Sequence, residues 1–245
     1  MRRRHFEVEE TAITILADGS FFSVAEESIF RSRDVIKRFI RSEPLFGVTL
    51  EPYRPGPDAP PLVVRMCDAA EAAGVGPMAA VAGAIAERAV MDMHDAGAEQ
   101  AVVDNGGDIA FLLKEETTVA LYAGESVQGL GFRIAPRDGV FGMCTSSATI
   151  GPSISFGMAD AATVIAENVA LADACATRLG NLVTDATDEV MSAAVSEIAS
   201  VKGIDGALAA ASGRIAMRGR MPELIRVAAD PSKITKVEFL RNREV

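Results

Sequence analysis

Residues 102–111 read VVDNGGDIAF. Two apolar runs, Val102-Val103 and Ile109-Ala110-Phe111, are joined by Asp104-Asn105-Gly106-Gly107-Asp108, five positions that are polar or glycine. Two readings account for the join. Asn-Gly is a favoured two-residue turn, so Asn105-Gly106 would close a β-hairpin. A site built at a strand end asks for the same residues, with glycines where backbone must come close to a ligand.

Outward from this stretch, strands and helices alternate without a regular period. Toward the N-terminus, Glu9-Thr11-Ile13-Ile15 alternates with other side chains and predicts a strand, ended by the turn Ala17-Asp18-Gly19-Ser20. Residues 21–42 predict an amphipathic helix with Arg31, Arg33, Lys37 and Arg38 on its polar face. The proline-rich stretch 44–61 is the longest loop, a linker or a lid. The next helix opens with Gly76 as cap and Pro77 at the first helical position, and Gly97 closes it. Met78 to Ile85 show no polar face, so this helix must be buried on most sides. Its free amides suit an anion, and a well-capped core helix fits as well. His94, in the last turn, reads as a residue that complements the helix dipole.

Toward the C-terminus, Cys144-Thr145-Ser146-Ser147 are small hydrogen-bonding side chains that either satisfy their own backbone or line a polar pocket. Ala161 to Ala166 predicts a short buried strand. In "ADACATRLGN" Asp173 and Thr177 are four apart and share a helix face among Ala, Cys and Leu. A carboxylate there needs compensation. Two roles supply it: an N-cap, or a hard-cation ligand with Thr177 as a second oxygen. Beyond Thr184, taken as a cap, the sequence predicts a helix over 185–200, a short helix near 204–211, strands around 214–217 and 224–228, and a charged tail at 230–245.

Composition removes whole classes of function. A net charge of −10 opposes a nucleic-acid groove, which needs a basic footprint. Met1-Arg2-Arg3-Arg4 is followed by His5-Phe6-Glu7-Val8-Glu9-Glu10 where a signal peptide needs an apolar stretch. No uncharged run reaches the roughly 18 residues of a membrane span. The expectation is a soluble cytoplasmic protein with no membrane or nucleic-acid partner. Cys67, Cys144 and Cys175 have neither even count nor metal spacing, against a disulfide framework or structural zinc.

Taken together, Gly76-Pro77-Met78-Ala79-Ala80-Val81-Ala82-Gly83, Asn105-Gly106-Gly107-Asp108-Ile109, Cys144-Thr145-Ser146-Ser147, Ser153 to Ala161 and Ala172-Asp173-Ala174-Cys175-Ala176-Thr177 resemble an uncharacterised ApbE-like family, a branch of the flavin transferase (ApbE) superfamily. The resemblance runs from about residue 3 to about residue 185. It implies an α+β fold, mixed sheets and flanking helices around a central ligand cleft, in a single domain spanning 1–245. It implies a flavin nucleotide, FAD or FMN, with Mg²⁺, and transfer of the FMN half of FAD to a Thr or Ser hydroxyl of a protein substrate. Carried over by position, Asp173 and Thr177 are metal ligands with the Ala79 carbonyl. Gly76, Pro77, Asn105, Gly106, Gly107, Asp108, Thr145, Ser146, Ser147 and Ser153 line the nucleotide cleft. The hairpin reading of Asn105-Gly106 stays open beside this one.

Two departures bear on catalysis. Ala80 stands where superfamily transferases usually carry Lys, and Gly151-Pro152-Ser153 where they carry His; the chain has only His5 and His94. General acid–base help is worth roughly 10²–10⁴-fold, and Asp160 or Asp173 would have to supply it. Two other readings follow: a Cys144-dependent accessory role in sulfur mobilisation for amino-acid biosynthesis, with Cys144 as nucleophile or persulfide carrier, and a nucleotide-binding subunit without turnover. Oligomeric state is not legible.

Overall fold

The computed structural model describes residues 1–9, 11–123, 127–147 and 157–227. Eight strands form one sheet: β1 (Arg2–Val8), β2 (Thr11–Ala17), β3 (Ala101–Asn105), β4 (Asp108–Leu112), β7 (Phe141–Ser146), β8 (Ala161–Ala166), β9 (Ile204–Ala211) and β10 (Arg214–Gly219), in that spatial order. Three more form a second sheet, β11 (Glu223–Arg226), β6 (Val127–Ile134) and β5 (Thr117–Ala123). Every ladder among the described residues is antiparallel. The helices are α1 (Phe22–Ser42), α2 (Pro61–Ala73), α3 (Val81–Asp95), α4 (Val169–Leu182) and α5 (Asp188–Ala199). The architecture is the expected α+β class.

Side chains alternate across a strand, and that alternation sorts the core into two layers. Val103, Ala110, Leu112, Cys144, Val164 and Ala209 pack with the helices. Val102, Ile109, Phe111, Met143, Ile165 and Leu208 face the other way, against Leu121 and Phe132 of the small sheet. The large sheet is therefore the middle of three layers. Asp108 is in phase with Ala110 and Leu112, and Asn105 with Val103, so the polar ends of β3 and β4 turn toward the helices.

Three expectations need correction, and one strand carried no expectation. Arg2–Val8 is a strand, paired with β2 from Arg2↔Ala17 to Val8↔Thr11; charge hid it, but charge is what an edge strand carries. Residues 204–211 form β9 and not a helix. Alanine favours helix only weakly, and here small side chains let β9 sit between β8 and β10, with Ala161↔Ala210 and Ala162↔Ala209 opposed. The helix expected from 185 begins at Asp188, and its cap is Thr187, whose hydroxyl accepts from the Val190 amide. Pro77 opens a 3-10 turn, Pro77–Ala80, before α3 starts at Val81.

The stretch 44–61 packs onto the helices. Phe39, Phe46 and Tyr53 meet edge to face, with ring centroids 5.0 and 5.8 Å apart. A side chain at Gly76 would lie 2.0 Å from the Thr49 carbonyl oxygen, so glycine there admits this loop against the entry to α3.

Candidate functional site

The opening stretch turns out to be both a hairpin and part of a polar site. Asn105 pairs with Asp108, which makes Gly106 and Gly107 the two turn residues, one position later than Asn-Gly would place them. Their φ values, +69° and +106°, are what a type I′ turn needs. The shift has a consequence for chemistry: Asn105 is freed from the turn and becomes an inward-facing strand residue. It is 6% exposed, and its Nδ2 donates to the Ala82 carbonyl in the first turn of α3, at 3.1 Å. The Asp104 carboxylate accepts from the Gly107 amide at 2.9 Å and closes the turn.

α3 begins with no side chain of its own capping it. Asp173 of α4, 7% exposed, fills that role: its Oδ2 accepts from the Gly83 amide at 2.8 Å, and the Ala82 amide also holds it. Asp173 is thus an N-cap, but of the neighbouring helix; its own helix is capped by Asn168, which accepts from the Leu171 amide. The approach is tight. A Cβ on Gly83 would stand 2.6 Å from the Val169 carbonyl oxygen and 2.8 Å from the Asp173 Cβ.

Asp108 and Asp173 face the same region and oppose each other's ionisation. Burial pushes the Asp173 carboxyl up to about 7, in spite of the Gly83 and Ala82 amides. Burial also raises Asp108 well above the carboxylate range, and the charges of Asp173 and Asp104 raise it further. Among the described residues no basic group enters the balance at either carboxyl. Such a pair either holds a proton or accepts a cation. Among the described residues no group of three or more His, Cys, Asp or Glu side chains is set to hold a metal. A cation here would therefore be completed by hydroxyl, carbonyl or phosphate oxygens, the donor set that suits Mg²⁺. Thr177, half-buried one turn beyond Asp173, and the carbonyl of part-buried Ala79, in the 3-10 turn that packs on α4, are of that kind.

Cys144 does not lie at a pocket edge. It is fully buried, its Sγ lies 3.6 Å from the Val169 carbonyl, and burial beside Asp108 and Asp173 pushes its thiol well up. A thiolate nucleophile needs the opposite surroundings. Cys67 and Cys175 are likewise buried among core residues. Thr145 bonds hydroxyl to hydroxyl with buried Thr163 at 2.9 Å, and its amide donates to the Gly107 carbonyl, so β7 braces the hairpin. Ser146 and Ser147 follow, part-buried, and Ser153 lies outside the described residues. Asp160 is engaged elsewhere, accepting from the Ser212 amide. His94 sits at the end of α3, 3.2 Å from the Ala98 carbonyl, as a helix-end residue.

A family model described as "AbpE bacteria" matches residues 1–209. The chain belongs to that family. Its relatives include UPF0280 proteins of Methanocella arvoryzae, 48% identical over 94% of each chain, and of Methanococcoides burtonii, 46% identical over 96% of this chain and 99% of the other. Among solved structures, the apo flavinyl transferase ApbE of Pseudomonas stutzeri aligns over 89% of this chain and 94% of its own, with a TM-score of 0.52 at 12% identity. The apbe protein of Thermotoga maritima aligns over 97% of this chain and 100% of its own, with a TM-score of 0.51 at 12% identity. The fold is shared with those proteins.

Sequence reading found Asp173 and the hairpin but missed what joins them: the Ala82 and Gly83 amides, and Asp108 as the second carboxylate. The period-2 alternation was the available signal, since 101, 103, 105 and 108, 110, 112 fall on one face. Glu87, the lone charge on the apolar side of α3, was the other.

Proposed function

We propose that the α3–α4 crossing and the Gly106-Gly107 hairpin bind a flavin nucleotide with a divalent cation, and that the chemistry is transfer of the FMN half of FAD to a protein Thr or Ser hydroxyl. One observation carries this: two converging carboxylates, Asp108 and Asp173, without a basic partner among the described residues, beside a glycine turn and the first amides of a helix. Family membership and the shared fold support it. A bound Mg²⁺ would neutralise charge on the pyrophosphate oxygens. Asp173 would hold it with Thr177 and the Ala79 carbonyl, and Gly106 and Gly107 keep the hairpin free of Cβ atoms where the nucleotide approaches. In the transfer, the hydroxyl oxygen bonds to the FMN phosphorus, the bridging P–O bond breaks, AMP leaves, and the hydroxyl proton passes to a carboxylate. Asp108, with its raised proton affinity, is the carboxylate we assign to take that proton.

That missing histidine, with Ala80 in the lysine position, favours a second reading: a nucleotide-binding subunit without turnover. Thermal unfolding of the metal-stripped protein with FAD, FMN or ADP, each with and without Mg²⁺, tests the shared part. Ligand at about 100 times its Kd adds about 2.7 kcal/mol, a rise of roughly 5–10 °C for a chain of this size. FAD with Mg²⁺ should raise the midpoint and Asp173→Asn should abolish the rise. No shift with any flavin sinks both readings, and AMP release from FAD separates them.

A further inference from the structure

α3 and α4 are tied at two points, and only one belongs to the site described above. Gly83 and Glu87 are four apart on α3, and Val169 and Asp173 are four apart on α4. The Gly83 amide donates to Asp173, and the Val169 amide, which opens α4, donates to Glu87 Oε1 at 3.1 Å. Each helix thus gives a carboxylate to the amino-terminal amides of the other, groups that a helix cannot satisfy for itself. Glu87 is 5% exposed, yet its charge is matched: Arg65 of α2 grips both oxygens, Nε to Oε2 at 3.0 Å and Nη2 to Oε1 at 2.7 Å. Such a two-pronged pair fixes orientation as well as charge. Among the described residues Asp173 has no counterpart to Arg65.

We infer that Glu87, clamped by Arg65, is a positioning residue for the candidate cation site: it pins the start of α4, and so sets where the Asp173 carboxylate points, one turn further on. The inference rests on the cation reading of Asp173. Val169 and Asp173 are about 6 Å apart along one rigid helix, so movement at the first is carried to the second. Gly83 leaves no slack, because its backbone is already against Val169 and Asp173.

The test uses Mn²⁺ as probe, titrated into the metal-stripped full chain with FAD in excess. Free Mn²⁺ is read by electron paramagnetic resonance against a protein-free blank, well below each variant's unfolding midpoint. Wild type should bind and Asp173→Asn should not. Glu87→Leu should weaken binding about ten-fold or more while folded, as loss of an outer partner does at metal sites. Glu87→Gln keeps an oxygen for the Val169 amide and should return to within about three-fold. Ile198→Val thins the core elsewhere, controls for lost stability, and should bind as wild type does. If Glu87→Leu does not fold, Arg65→Met loosens the same clamp from its outer side and should weaken binding at least about three-fold. Absent wild-type binding, or binding retained in Asp173→Asn, refutes the cation reading and this inference with it. Expected behaviour in those two but wild-type affinity in Glu87→Leu (or in Arg65→Met, where it stands in), no recovery in Glu87→Gln, or an equal loss in Ile198→Val, refutes the positioning role alone.

Discussion

Replacing Gly83 by Ala sets two physical effects against each other at one atom. Ala is favoured over Gly by about 0.8–1 kcal/mol in a helix interior and by less at the third residue of α3, so propensity alone predicts a small stabilisation. The added Cβ, however, would stand 2.6 Å from the Val169 carbonyl oxygen and 2.8 Å from the Asp173 Cβ, and backbone cannot swing aside as a side-chain tip can. Overpacking of this kind costs about 1–3 kcal/mol. Parting the helices also stretches the Gly83 amide from Asp173, a hydrogen bond to a charged group worth about 1.5–3 kcal/mol. The net is a loss of about 1.5–5 kcal/mol, or roughly 3–20 °C in Tm for a chain of this length. Circular dichroism melts of the metal-free wild type and Gly83→Ala at one pH measure it. An unchanged or raised Tm would show that α3 and α4 do not meet closely here, and the arguments about Asp173 and Glu87 would fall with that contact.

The remaining predictions concern charge, thiols and the turn. Because folding raises the Asp173 carboxyl to about 7, the stability it contributes is full below pH 4 and is lost as pH rises through 7. Asp173→Asn keeps an acceptor for the Gly83 amide, so in metal-free protein its Tm should gain on wild type between pH 5 and pH 8; a gap that stays level or shrinks contradicts the raised proton affinity. Iodoacetamide at pH 8 should label none of Cys67, Cys144 and Cys175 in folded protein and all three in guanidinium, since all are buried and each thiol is pushed up; rapid native labelling of Cys144 would revive the sulfur reading. Gly107→Ala places a side chain at φ +106° and should cost about 1–2 kcal/mol by urea denaturation. Asn105→Ala should cost about 0.5–1.5 kcal/mol by the same assay, through loss of the hydrogen bond that its Nδ2 donates to the Ala82 carbonyl, and a loss near zero would mean that water replaces the amide.

How much of this was legible depended on whether the signal was local. The strand at 161–166, the amphipathic α1 and the close of α3 before Gly97 follow from period, caps and turn residues within a few positions. β9 was not legible, because "IDGALAAA" is ordered by its neighbours' need for small side chains and not by its own propensity. Asp173 announced itself as a carboxylate in an alanine setting, but its partners, Gly83 and Asp108, lie on other elements. Cys144 read either as a small hydrogen-bonding residue or as a nucleophile beside a pocket, and alternation along β7 decides between them by turning it inward under α4. Turn chemistry marked the hairpin, and only pairing across the strands could say that Gly106 and Gly107, not Asn105, form its tip.

The order of the large sheet sets a usable length. Its first and last strands in the chain, β1 and β10, are also its two outer edges. Seven spacings of about 4.8 Å put those edges about 34 Å apart before twist is allowed for, a separation at which fluorescence transfer between dyes on outward-facing positions is steep. Such a doubly labelled protein would act as a ruler across the molecule. It would report in real time whether an added nucleotide or cation splays the sheet or leaves its width unchanged.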